Sequence, residues 1–137
     1  ERILFLKGEV EMKVAGEVRK LTEVKDMLEG VVENGTARNI YTPKYRIAGK
    51  TGTARLASGS SGYGGGRYRA SFVGYFPAER PLYSCIVVIR QPRNGYPSGG
   101  TMSGGVVKPI RFTLWHTYNT VNPNMKRIKL CRYVKMA

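Results

Sequence analysis

Two strand-like segments lie close together in the middle of the chain, at residues 68–76 and 82–90. Both are rich in aromatic and β-branched residues, which favour the extended backbone of a β-strand. Only the five residues at 77–81, Pro-Ala-Glu-Arg-Pro, separate them, and this length is typical of a β-hairpin. The chain is therefore expected to contain at least two adjacent antiparallel strands.

The hydrophobic period changes before this hairpin. Apolar and charged residues alternate within 3–14, which predicts a strand. A spacing of three and four residues then predicts an amphipathic helix over about 17–33, ended by Asn34 and by Gly35 in a left-handed conformation. Small and β-branched residues at 45–56 predict another strand. The apolar residues that define the helix are Leu21, Val24, Leu28, Val31 and Val32.

Two glycine-rich stretches, at 57–67 and 94–105, predict loops on either side of the hairpin. A helix is expected over about 106–118, with Pro109 tolerable only in its first turn. The remaining residues, 119–137, are basic and poorly patterned. This order of elements predicts a single α+β domain in which helices pack on an antiparallel sheet.

Positive charge is concentrated beyond residue 33. The 137 residues include 23 Lys and Arg against 9 Asp and Glu, for a formal net charge of +14. Residues 1–33 carry a net charge of −2, whereas residues 34–137 carry +16 with Glu79 as their single acid. This asymmetry is typical of proteins that bind nucleic acid, anionic membrane or acidic partners, but it also fits one piece of a larger domain. A small basic nucleic-acid-binding module stays open as an alternative. That module would use Arg67, Tyr68, Arg69 and the cluster at 126–135.

Several other kinds of site lack the residues that they need. Cys85 and Cys131 have no metal-ligand spacing and are too few for a disulfide scaffold, and their redox state is left open. His116 is the single histidine, so neither a Ser-His-Asp triad nor a His-rich metal site is expected. Lys44 stands where the phosphate-binding G-x-x-x-x-G-K-[ST] pattern needs glycine. No apolar run is as long as a membrane span. We expect no metal and no cofactor.

One constellation remains, Lys50-Thr51-Gly52-Thr53, in the strand at 45–56. Alternation along a strand would place the Thr51 and Thr53 hydroxyls on one face and Lys50 on the other. Two hydroxyls beside a fixed ammonium suit a carboxylate, and Gly52 would let a substrate lie against the strand. The backbone N–H groups would serve an extended peptide or a developing oxyanion. An ordinary surface strand with the same residues fits as well, and the spacing alone favours it.

A series of ordered motifs surrounds this constellation. Met27-Leu28-Glu29-Gly30-Val31-Val32-Glu33-Asn34-Gly35-Thr36-Ala37 precedes it, and strands with the sequence Ala-Ser-Phe-Val-Gly-Tyr-Phe-Pro and then 82–90 follow it. Two glycine pairs then lead into a Val-Val-Lys-Pro-Ile sequence. The series resembles the transpeptidase domain of penicillin-binding proteins, and more narrowly the class B enzymes of cell division or elongation. The resemblance covers residues from about 17 to 110, in the segments 27–37, 45–54, 70–77, 82–90 and 99–110.

The resemblance implies a partial serine-transpeptidase or β-lactamase-like domain, with an antiparallel sheet and flanking helices. It implies the chemistry of a serine D,D-transpeptidase, which cross-links peptidoglycan stem peptides through an acyl-serine and is acylated by β-lactams without a cofactor. Lys50 would supply positive potential beside the nucleophile. Thr51, Gly52 and Thr53 would bind the substrate, with Thr51 and Thr53 holding the substrate or β-lactam carboxylate, and the Thr53 N–H would serve the oxyanion hole. The bacterial parent would be anchored in the cytoplasmic membrane with its catalytic domain outside.

The two other motifs of the family do not occur in these 137 residues. Neither Ser-x-x-Lys nor Ser-x-Asn is present, and in the family both precede K-T-G. Residues 1–110 are therefore expected to be the C-terminal portion of a transpeptidase domain, inactive alone, with the missing N-terminal portion as partner. No nucleic acid is then expected, and exposed apolar surface would favour self-association. Residues 111–137 are expected to be a divergent or non-native basic tail.

Overall fold

The computed structural model describes residues 3–6, 18–57, 66–91, 98–121 and 129–136. Within these residues the chain forms five strands, two α-helices and two short helical turns. In chain order they are β1 (Ile3–Leu6), α1 (Val18–Glu33), a 3-10 turn (Arg38–Ile40), β2 (Ala48–Arg55), β3 (Tyr68–Phe76), β4 (Tyr83–Arg90), a π turn (Gly99–Ser103), α2 (Gly104–Val121) and β5 (Lys129–Met136).

The strands form one sheet in the order β1-β5-β4-β3-β2. The predicted hairpin is confirmed as β3 and β4, in which Phe72 pairs with Val87. β2 confirms the strand predicted at 45–56 and pairs with β3, with Gly52 opposite Ser71. Helices packed on a sheet confirm the predicted α+β class. All neighbouring strands are antiparallel except β4 and β5, which pair in parallel; neither β5 nor this pairing was predicted.

Alternate residues of β3 and β4 build the core. Phe72 and Phe76 in β3 and Val87 in β4 are fully buried, whereas Val73 is 52% exposed. Burying an apolar side chain of this size contributes about 1.5–3 kcal/mol. Further residues of β4 and side chains from α1, the 3-10 turn, α2 and the segments around the strands complete the cluster: Val32, Ala37, Ile40, Tyr45, Ile47, Leu82, Tyr83, Cys85, Ile89, Val107 and Ile110.

α1 confirms the helix predicted over 17–33 to within one residue, but it ends for a different reason. Gly35 does not adopt the expected left-handed conformation; among the described glycines only Gly66 does, with φ of 61°. A Cβ on Gly35 would lie 2.8 Å from the Cα of Val31. Glycine suits this position because the backbone passes close to the last turn of α1.

α2 begins earlier than predicted, at Gly104, directly after the π turn. Pro109 is the sixth residue of α2, so the expectation that it would lie in the first turn was wrong. The glycines of 94–105 predicted a loop because glycine disfavours helices. In the structure Gly99, Gly100 and Gly104 permit close packing instead; a Cβ on Gly104, for example, would lie 2.6 Å from Nδ2 of Asn39.

The residues beyond 118 contain a strand that the sequence pattern did not reveal. α2 runs to Val121, and β5 then lies between β1 and β4. Lysines and arginines within 126–135 interrupt the apolar alternation on which strand recognition depends. The predicted divergent character of residues 111–137 stays a prediction.

Parts of several predicted segments lie outside the described residues. These parts are 7–14 of the first strand, 58–65 and 94–97 of the two glycine-rich stretches, and 122–128 of the basic tail, which includes the start of the basic cluster at 126–135. Among the helices that the structure describes, none combines the length and the apolar character needed to cross a bilayer.

Candidate functional site

β2 lies at one end of the sheet, and its exposure changes along its length. Its first two residues are buried, near the helix α1 that packs beside it, and its last three are exposed. On the side away from β3, no strand of the described residues pairs with β2. An edge strand presents unpaired backbone N–H and C=O groups. Lys50, Thr51 and Gly52 lie where the buried half gives way to the exposed half.

Lys50 has an exposed side chain. Its Nζ donates a hydrogen bond of 3.1 Å to the carbonyl oxygen of Thr51. Across the strands it is paired with Val73, the exposed residue of β3 noted above. No carboxylate within the described part of the chain forms an ion pair with Lys50. In this part of the chain the ammonium charge is therefore not neutralised.

The hydroxyls of Thr51 and Thr53 lie on the opposite face of the strand from Lys50, because successive side chains alternate. Oγ1 of Thr51 is 2.7 Å from Oγ1 of Thr36, in the segment that follows α1. Oγ1 of Thr53 accepts a hydrogen bond of 3.0 Å from the N–H of Gly99, at the start of the π turn. Thr51 is half-buried and Thr53 is exposed, so solvent reaches both residues.

The space beside Gly52 is occupied by the chain itself. A Cβ on Gly52 would lie 2.6 Å from Oγ of Ser71, which donates a 3.4 Å hydrogen bond to the Gly52 carbonyl oxygen. A Cβ on Gly99 would lie 2.5 Å from the same carbonyl oxygen. We expected a substrate to lie close to the backbone at Gly52, but β3 and the π turn already do so. The role of Gly52 in substrate binding stays a prediction.

Sequence reasoning missed the residues that hold the two threonines. Besides the contacts of Thr36 and Gly99, Nδ2 of Asn39 donates a 2.8 Å hydrogen bond to the carbonyl oxygen of Gly100. A Cβ on Gly100 would overlap the carbonyl oxygen of Thr36. The segment after α1 and the π turn therefore fix each other beside β2. The available sequence signal was the glycine pair at 99–100, which equally favours a loop.

A cluster of ion pairs fixes the segment that leads into β2. Nη1 of Arg46 lies 3.0 Å from Oε2 of Glu29, and its Nε lies 3.0 Å from Oε1 of Glu79. The hydrogen bond with Glu79, together with the charge of Glu29, raises the pKa of Arg46. Burial raises the pKa of Glu79, but hydrogen bonds from its own backbone N–H and from Arg46 outweigh burial and hold that pKa below its ordinary value.

The described residues contain no group of three His, Cys, Asp or Glu side chains that could hold a metal ion. β2 offers a cation on one face, two hydroxyl groups on the other and N–H groups along its edge. Each of these kinds of group can bind an anion such as a carboxylate.

Comparisons with known proteins agree on one family. Residues 9–111 match the penicillin binding protein transpeptidase domain. The chain is 39% identical over 87 residues to a peptidoglycan D,D-transpeptidase FtsI homolog of Mesostigma viride. It is 46% identical over 90 residues to a probable peptidoglycan D,D-transpeptidase PbpC of Pseudomonas aeruginosa. Each alignment covers 64% of this chain but only 14% and 15% of those relatives, respectively.

Solved structures give the same result. The chain is similar to the transpeptidase domain of FtsI4 D,D-transpeptidase from Legionella pneumophila, with a TM-score of 0.58 and 29% identity over 72% of this chain and 36% of that chain. It is also similar to the transpeptidase domain of Burkholderia pseudomallei penicillin-binding protein 3, with a TM-score of 0.56 and 40% identity over 75% of this chain and 31% of that chain. The chain belongs to the penicillin-binding protein transpeptidase family, as a portion of a class B transpeptidase domain.

Proposed function

We propose that β2 supplies the K-T-G edge of a peptidoglycan D,D-transpeptidase site. The observation that carries this proposal is the K-T-G sequence on an exposed edge strand within the matched residues 9–111. In this role the ammonium of Lys50 provides positive potential beside a serine nucleophile. The hydroxyls of Thr51 and Thr53 bind the carboxylate of a D-Ala-D-Ala stem peptide or of a β-lactam, because hydrogen bonds to a charged acceptor are the stronger kind.

Acyl transfer at such a site has two steps. The serine Oγ attacks the carbonyl carbon of the penultimate D-Ala, its proton passes to a general base, and the terminal D-Ala leaves. The amine of a second stem peptide then attacks the ester and releases the serine. The backbone N–H of Thr53 is our candidate for stabilising the negative charge on the carbonyl oxygen. Neither step requires a metal or an organic cofactor.

The nucleophile and its base would come from outside these 137 residues. The sequence contains no Ser-x-x-Lys and no Ser-x-Asn, and the chain spans about a third of the solved domains. We infer that the partner is the remainder of the same domain, in a parent anchored in the cytoplasmic membrane with its catalytic domain outside. Lys50 and the exposed Val73 share one face of the sheet, which supports contact with that remainder there. Self-association of the chain stays a prediction.

Labelling with a fluorescent penicillin tests the proposal. We expect no adduct with the chain alone, and a serine adduct when it is produced together with the remainder of the domain. Lys50→Ala should lower the rate of labelling roughly tenfold or more, since it removes a charge-assisted contact. Lys44→Ala, which changes an exposed lysine outside the motif, should leave the rate unchanged. Labelling of the isolated chain, or full labelling of the Lys50 variant, would contradict the proposal.

The nucleic-acid alternative is not favoured by these matches, and the contacts of its basic residues do not support it. Nη2 of Arg67 donates a 3.1 Å hydrogen bond to the carbonyl oxygen of Ala57. The guanidinium of Arg55 lies 5.7 Å from the ring centroid of Tyr68 and so covers one of the two ring faces on which a base could stack. Tight binding to DNA or RNA that weakens steeply with added salt would restore this alternative.

A further inference from the structure

Thr36 lies outside the K-T-G motif, yet its hydroxyl contacts the motif. Its Oγ1 is 2.7 Å from Oγ1 of Thr51. We propose that Thr36 is a positioning residue that acts through Thr51 and directs a hydroxyl donor toward the carboxylate of the ligand. This inference rests on the proposed function, because it concerns the same carboxylate.

The hydroxyls of Thr36 and Thr51 have one hydrogen each. A hydroxyl has one O–H to donate and can accept two hydrogen bonds. Within the pair, one threonine donates to the other, so a single O–H is left for a ligand. An anion at Thr51 favours the order in which Thr36 donates to Thr51 and Thr51 donates to the anion. In such a chain the first hydrogen bond polarises the second and strengthens it.

The hydroxyl of Thr53 is oriented in a similar way, by a backbone N–H group. Its Oγ1 already accepts the N–H of Gly99 at 3.0 Å, so its own O–H is left to donate. Thr51 and Thr53 are two residues apart in a strand, which places them on one face with their Cα atoms about 7 Å apart. The hydroxyls of Thr51 and Thr53 can therefore both donate to a single carboxylate. Thr36 orients the first hydroxyl, and the π turn orients the second.

The backbone around Thr36 is held in place before any ligand binds. The next residue, Ala37, is fully buried, and its N–H donates a 3.0 Å hydrogen bond to the carbonyl oxygen of Val31. The preceding Gly35 lies against Val31, and the carbonyl oxygen of Thr36 itself lies against Gly100. Because these contacts fix the residue, little ordering is required when a carboxylate arrives, and such preorganisation favours binding.

The test compares rates of acylation by benzylpenicillin and by its methyl ester, in the chain produced together with the remainder of the domain. Thr36→Val removes the hydroxyl at nearly constant size and should slow acylation by benzylpenicillin about three- to tenfold, the size of one lost neutral hydrogen bond. Thr36→Ser should restore the rate. In a Thr51→Val background, Thr36→Val should have no further effect, since it acts through Thr51. The methyl ester carries no carboxylate, so it should acylate the Thr36→Val variant and the unchanged protein at equal rates.

Thr113→Val serves as the matched control, because its hydroxyl donates to the carbonyl oxygen of Pro109 within α2. An equal loss toward the methyl ester would show a general structural role for Thr36 and overturn the inference. An unchanged rate for Thr36→Val, while Thr51→Val is slow, would overturn it too. If neither Thr51→Val nor Lys50→Ala slows acylation, it is the proposed function that fails.

Amide chemical shifts of the chain alone, titrated with benzylpenicillin, provide a second measurement that needs no acylation. Thr36→Val is expected to weaken the shift changes at the Thr51 and Thr53 amides. Clear shift changes of equal size in the variant and the unchanged chain would overturn the inference, whereas the absence of any shift change in the unchanged chain would count against the proposed function.

Discussion

Gly100 and Gly105 lie five positions apart, at the π turn and the start of α2, and have different surroundings. A Cβ on Gly100 would overlap the carbonyl oxygen of Thr36, which is backbone and cannot rotate away. A Cβ on Gly105 would meet no atom within 4 Å. The first glycine is therefore required by packing, whereas the second is a helix residue with no packing reason to be glycine.

Alanine substitutions should separate these two cases. Gly100→Ala is expected to lower the free energy of unfolding by about 1–3 kcal/mol, the cost of forcing a methyl group into a packed site. Gly105→Ala should leave it unchanged or raise it by up to about 1 kcal/mol, since alanine is the better helix former. Urea unfolding measures both. Equal destabilisation by the two substitutions would show that the contact with Thr36 is not the cause.

Some residues of the candidate site could be recognised from the sequence, and others could not. Lys50 to Thr53 were singled out because the motif is contiguous and resembles a family motif, whereas its spacing alone favoured an ordinary surface strand, and the roles of these residues stay predictions. Thr36 and Gly99 could not be recognised, because their contacts with Thr51 and Thr53 join positions 15 and 46 residues apart. Only the packing of the π turn beside β2 brings these groups together.

Among the elements, α1, the segment before β2 and the β3–β4 connection are joined by the side chain of Arg46. Its two ion pairs reach Glu29 in α1 and Glu79 in the connection. The backbone N–H of Arg46 adds a 3.2 Å hydrogen bond to Oε1 of Glu79. One carboxylate thus receives both a main-chain and a side-chain donor, and this lowers the pKa of Glu79 despite its partial burial.

This arrangement predicts how the stabilising effect of Glu79 depends on pH. The pKa of Glu79 is lowered on folding. The carboxylate therefore makes its full contribution to the free energy of unfolding above the ordinary pKa of 4.5, and this contribution is lost as the pH falls through the lower pKa of the native state. Glu79→Gln should lower the free energy of unfolding at pH 7 by less than about 1 kcal/mol, since the side chain is 41% exposed. The difference in free energy of unfolding between this variant and the unchanged chain should vanish at acidic pH. Urea unfolding at several pH values measures it, with Asp26→Asn as the control. A difference that grew below pH 4.5 would contradict the prediction.

The elements that the sequence predicted well are those with a strong local period. α1, β3 and β4 are within one residue of their predicted bounds because each buries alternate or helically spaced apolar residues. The start of α2 and the strand β5 were missed. Gly104, at the start of α2, satisfies packing rather than helix propensity, and the charged residues in the sequence of β5 interrupt the apolar pattern by which a strand is recognised.

At the scale of the whole molecule, the sheet joins distant parts of the chain. β5 lies between β1 and β4, and among the described strands β1 pairs with β5 alone. The register places Ile3 opposite Tyr133. The connection of β1 to the rest of the sheet therefore depends on the residues that we predicted to be a divergent tail.

Truncation tests this dependence. Removing residues 122–137 should lower the melting temperature by several degrees and abolish the hydrogen-exchange protection of the β1 amides, because β1 then has no strand partner. Removing Ala137 alone, which lies beyond β5, should change neither. Unchanged stability and protection after the longer truncation would instead support the prediction that residues 111–137 are not part of the domain.

The position of β5 also bears on the order in which the sheet can assemble. β5 is synthesised after every other described strand, yet it supplies the pairing partner of the first one. While the chain is being made, β2, β3 and β4 can form their antiparallel pairs from nearby sequence. β1 must wait until the last pairing closes a loop of more than a hundred residues, the kind of non-local contact that slows folding. Until that pairing forms, the apolar residues of β1 lack their partner in the described sheet, and unpaired apolar strands are prone to misassociation.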